Sequence, residues 1–146
     1  MKPWIRIALV TVTATIGLTA IAGGIALLVG SFAQTASGAI VPDRAFLGDS
    51  PFTSYVLPGL LLAVVVGGTH VLAAILIGRR STAGPLAVTI AGFGLLIWIF
   101  VQMMFIPFSI LQALYFAAGL AELGLVILGL GLFAPRRTSI RASGTH

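Results

Sequence analysis

Charge is the scarcest property of this chain. Only 8% of its 146 residues are Asp, Glu, Lys or Arg, against the roughly one quarter usual for a soluble domain. A water-soluble fold is excluded on that ground. Cysteine is absent, which removes disulfides, thiolate metal sites, cysteine nucleophiles and iron–sulfur clusters. Acidic residues number three, Asp43, Asp49 and Glu122. No Gly-rich phosphate loop follows a strand pattern, and no Ser-His-Asp set falls at one depth. Histidine occurs twice, and His146 lies in a polar tail, so a bis-histidine haem cannot come from one chain. One His and one Glu make a poor zinc site, which takes three or four ligands. No cofactor is implied.

What remains is apolar: 59% of residues are hydrophobic and the mean hydropathy is +1.17. A spanning helix needs about 20 mainly apolar residues. Four stretches qualify: Trp4 to Val29, Tyr55 to Ile77, Pro85 to Phe105, and Phe108 to Phe133. Pro58 and Pro85 lie in first turns, where a missing N–H costs little. The connections at 79–84 and around Ile106-Pro107 are short, which forces antiparallel neighbours. The sequence therefore predicts an all-α, four-span transmembrane helical bundle forming a single domain over 1–137, with a disordered tail over 138–146. The only long connection runs from Ser31 to Ser54.

The net charge of +5 does not point to nucleic acid. Lys2, Arg6, Arg79, Arg80, Arg136, Arg137 and Arg141 abut apolar segments on one side, and only Arg44 falls on the other, beside Asp43 and Asp49. By the positive-inside rule the basic side is cytoplasmic, both termini are inside, and the long loop is external. The predicted location is a bacterial inner membrane, whose anionic lipid headgroups the basic face would attract. The first stretch is far longer than the roughly 7–15-residue core of a signal peptide, so it reads as a retained helix.

Two ionisable side chains fall inside the apolar stretches, His70 and Glu122. In the fourth stretch Gln112, Tyr115, Gly119 and Glu122 are spaced three, four, three, a single helical seam continued by Val126 and Gly129. In the second, Gly59, Ala63, Val66, His70 and Ala73 form another. Gly94, Trp98 and Gln102 share a face of the third, and Thr11, Thr15 and Thr19 a face of the first. At 1.5 Å per residue, His70 and Glu122 lie roughly 22 and roughly 21 Å below the outer helix ends, level with each other. The expected arrangement is a polar track from Gln102 and Gln112, past Tyr115, to a His70–Glu122 pair in the inner half. Its polar groups could simply glue helices together. The His70–Glu122 pair leaves structure and function both open, because burying a carboxyl for packing alone is expensive.

The run Ser50-Pro51-Phe52 leading to Pro58-Gly59, followed by Gln112, Tyr115, Gly119 and Glu122, resembles a group of small four-helix bacterial integral membrane proteins. The resemblance implies the topology and carries no activity. Asp43 is followed here by Arg44, a departure from the Asp-Pro-Ser-Gly element of that group's outer loop. The expected function is that of a small non-enzymatic inner-membrane protein, an accessory subunit or homo-oligomer. Two rivals stand beside it: a proton-coupled transporter or channel using Glu122 and His70, and a quinone-binding redox component.

Overall fold

The computed structural model describes residues 1–33 and 54–131. Among them the chain is all-helical, with four helices long and apolar enough to cross a membrane. We label them α1 (Pro3–Ala33), α2 (Val56–Gly78), α3 (Gly84–Phe105) and α4 (Ile110–Leu130). Most of the long connection, including Asp43, Arg44 and Asp49, and the whole tail lie outside the described residues.

The helices form a ring in chain order. α1 packs on α2, α2 on α3, α3 on α4, and α4 closes against α1. Neighbours run antiparallel: Gly17 meets Val71 and Gly67, while Gly24 meets Ala63 and Gly59. The outward surface is mainly apolar, with Ile7, Leu18, Ile97, Phe100, Ile110 and Leu114 all exposed. Such a surface would drive aggregation in water and suits hydrocarbon.

Two apolar clusters fill the interior. The one nearer the basic helix ends draws on all four helices: Ile5 and Leu9, Ala73 and Ile77, Val88 and Ala91, and Val126. The other joins Ile16, Ala20, Val66, Leu95 and Ile99, with Trp98 and Tyr115 packed at its margin.

The ends of the helices differ from expectation in instructive ways. α1 continues to Ala33, four residues past the predicted Val29. α4 begins at Ile110, not Phe108, because Ser109 holds extended backbone (φ −131°, ψ 155°) and caps the helix. The Ser109 hydroxyl accepts from the Gln112 N–H, and Gln112 Oε1 accepts from the Ser109 N–H, forming a capping box. α4 stops at Leu130 because Gly131 turns left-handed at φ 71°.

α2 ends in a Schellman turn. The Ser81 N–H bonds to the Leu76 carbonyl and the Arg80 N–H to the Ile77 carbonyl. The left-handed position of that motif, φ 57°, falls on Arg80 instead of the usual glycine. A side chain there costs on the order of 1 kcal/mol. Within α2, residues Leu61–Gly67 form a π-helical segment, a widened turn no periodicity reading predicts.

The threonine face of α1 turns outward. Thr11, Thr15 and Thr19 are exposed, and Thr19 donates to the Thr15 carbonyl at 2.7 Å. The inward seam is Leu9, Thr13, Ile16 and Ala20. A helical threonine satisfies itself on its own backbone, so threonine spacing carries little information about direction. α3 is rotated likewise: Val88, Ala91, Leu95 and Ile99 are its core face, leaving Gly94, Trp98 and Gln102 half-buried.

Candidate functional site

Between the two apolar clusters lies one polar layer. Thr13 on α1, His70 on α2 and Glu122 on α4 are each 0% exposed. Each is flanked along its helix by a member of the inner cluster on one side and, on the other, by a member of the outer cluster or a residue packed against it. α3 contributes no polar group at this level. Its Gly92 leaves a gap that the carboxyl occupies: a Cβ there would stand 3.4 Å from Glu122 Oε2.

His70 and Glu122 meet across the diagonal of the ring, Nε2 to Oε2 at 3.3 Å. The tautomer follows from the other ring nitrogen. Nδ1 lies 2.7 Å from the Val66 carbonyl, which can only accept, so Nδ1 carries a hydrogen. Nε2 then faces Glu122 either as a bare nitrogen opposite a carboxylic acid, or as N–H opposite a carboxylate. Both arrangements leave the pair neutral. A net charge sealed between two apolar clusters would be far costlier. The contact is not aligned as a hydrogen bond. Nε2 and both Glu122 oxygens stay buried without a formed bond among the described residues. Thr13 donates to the Leu9 carbonyl at 2.7 Å and makes no demand on the pair.

The other members of the expected track sit apart from this layer. Gln112 is buried but engaged in the α4 cap. Tyr115 is half-buried and lines, with Gln102 and Gln112, a cavity of about 600 Å³ in the outer half of the bundle. Its walls are otherwise mostly apolar, including Leu61, Leu62, Val65 and Val66 of the π-helical segment. Trp98 lines it too, and the indole N–H is buried with no acceptor among the described residues. Val66 and Leu95 form part of the wall and also belong to the outer cluster, so apolar side chains stand between cavity and pair. The structure thus brings His70 and Glu122 together, groups Gln102, Gln112 and Tyr115 around a separate cavity, and leaves no continuous polar track.

Sequence reasoning missed Thr13 and the role of Trp98. The signal for Thr13 was available: Leu9, Thr13, Ile16 and Ala20 follow four-three-four spacing, and Gly17 and Gly24 lie beside them. No sequence signal marks Trp98 as unpartnered. The chain matches no protein-family model, no curated protein and no solved structure.

Proposed function

We propose that this chain is a non-enzymatic multi-pass protein of the bacterial inner membrane, with both termini cytoplasmic. In this reading it serves as an accessory subunit or homo-oligomer and holds a lipophilic molecule in the outer half of its bundle. The observation that carries the reading is the outer cavity, apolar over most of its wall, with Gln102, Gln112, Tyr115 and the Trp98 ring among its lining groups. A binding site for a membrane-derived molecule has this make-up: apolar walls and a few polar groups that fix orientation. A quinone, with carbonyl acceptors on an apolar body, belongs to the class that fits. The orientation is supported by the Lys/Arg asymmetry, and the small exposed residues Ala113, Ala117 and Ala121, four apart on α4, support contact with another helix.

The test is titration of purified protein in mild detergent with a short-chain quinone, read by tryptophan fluorescence. Saturable quenching that disappears in Trp98→Phe, with the thermal midpoint unchanged, supports the reading. Unsaturable quenching that Trp98→Phe leaves alone, together with solvent extracts free of any stoichiometric lipophilic molecule, rejects it.

A proton-coupled transporter is the second reading, favoured by the buried Nε2 and carboxyl oxygens that lack formed bonds. Both apolar clusters must open for a proton to reach the pair. A pH-driven flux in liposomes that Glu122→Gln abolishes would support this reading over the first.

A further inference from the structure

Arginine at the left-handed position of the α2 Schellman turn calls for a reason beyond the turn itself, since glycine serves the backbone better there. Arg80 lines a cavity of about 370 Å³ at the basic end of the bundle. Arg6, from the first turns of α1, lines the same cavity, as do Ser81 and Thr82. Ile77 and Val126, members of the inner apolar cluster, border it on the bundle side. The Ser81 Oγ accepts from the Ala83 N–H, which leaves its own hydrogen free to donate.

Among the described residues no carboxylate is paired with either guanidinium. Glu122 faces His70 in the sealed layer, and Asp43 and Asp49 belong to the connection joining the opposite ends of α1 and α2. The described residues therefore leave the two guanidiniums without a counter-charge.

We infer that this cavity is a phosphate-binding site, with Arg6 and Arg80 pairing with the oxyanion and the Ser81 and Thr82 hydroxyls able to donate to it. Arginine forks match phosphate geometry bidentately, which a scattered basic surface does not do. The same chemistry is offered by the phosphodiester of an anionic lipid and by free phosphate. The apolar border favours the lipid, whose chains would continue along the helices.

The experiment follows the thermal midpoint of the purified full chain in a neutral detergent. Phosphatidylglycerol, phosphatidylcholine and inorganic phosphate are titrated separately. Wild-type protein is expected to be stabilised by phosphatidylglycerol well beyond phosphatidylcholine. Arg80→Gly, which relieves the backbone and so should fold, is expected to need about tenfold more phosphatidylglycerol for the same shift. Arg6→Gln should do the same. Arg79→Gln, an equal change in charge just outside the cavity, should respond as wild type does. Saturation by inorganic phosphate alone would identify free phosphate as the ligand of the same site. Equal responses to the two lipids without any phosphate response, an unchanged response in Arg80→Gly, or an Arg79→Gln loss as large as that of Arg80→Gly would each overturn the site.

Discussion

The two halves of the bundle solve opposite problems with the same four helices. Near the basic ends, side chains from all four helices close around Leu9, Ile77, Val88 and Val126, and the layer above them contains a buried His–Glu contact. Toward the other end α1 and α2 remain tightly joined, but α2 widens into a π-helical turn and the space between it, α3 and α4 stays open as the larger cavity. Close packing is what allows ionisable groups to be held without water. A half without it can admit a molecule but cannot shelter a charge.

The sharpest way to break that contrast is Glu122→Leu. It removes the carboxyl that faces His70 Nε2 in the dry layer, and loss of about 3 kcal/mol or more is expected, read as a lower thermal midpoint in detergent. Glu122→Gln should cost less, because an amide can still meet the imidazole. Adding His70→Leu to Glu122→Leu should recover much of the loss. If the single effects simply add, the pair is not a unit and the inner half owes its stability to apolar contact alone.

Next comes the α1–α2 seam that the outer half retains. A Cβ at Gly24 would stand 2.5 Å from the Gly59 carbonyl oxygen and 2.7 Å from the Ala63 Cβ, both without freedom to move aside. Gly24→Ala is expected to cost about 2 kcal/mol. Gly68→Ala, where nothing lies within 4 Å, should be neutral or slightly stabilising. Equal tolerance at the two sites would mean that the helices separate freely.

A smaller effect is expected at the rim. Ser109→Ala removes one side of the α4 capping box and should lower stability by about 1 kcal/mol. A much larger loss would show that the cap also anchors the cavity wall. Smallest of all, Gln102→Leu should shift stability by less than about 0.5 kcal/mol, since Gln102 is half-buried against an open cavity. A collapse on that substitution would place a polar contact in the outer half comparable to the one in the inner half.

Several of these features were legible before any coordinates. The α2 and α4 seams follow directly from three- and four-residue spacing: Gly59, Val66, His70 and Ala73 are buried, as are Gln112, Gly119, Glu122 and Val126. The Ser109–Gln112 cap is present in the sequence as a Ser-x-x-Gln pattern ahead of an apolar run, which hydropathy alone does not register. The tightest glycine contact joins Gly59, a member of the α2 seam, to Gly24 of α1. At Gly119 a Cβ would press first on the flexible end of Leu96 at 3.0 Å, whereas Gly24 and Gly59 oppose backbone directly. Small residues announce that helices can approach, and neighbouring shapes decide which ones do.

The sequence by itself determined that the chain forms four apolar helices, which faces of α2 and α4 turn inward, and that His70 and Glu122 share a depth. These follow from composition, from 3.6-residue periodicity and from a constant rise per residue, all local properties. Only the tertiary structure decided that the two side chains touch across the ring, that Thr13 and not its neighbours completes their layer, and that Gln102, Gln112 and Tyr115 surround a cavity separate from that pair. Those outcomes depend on the rotation of each helix about its own axis and on the π-helical turn in α2. In a helix apolar on every side, few residues fix that rotation, and contact with the other three helices settles it.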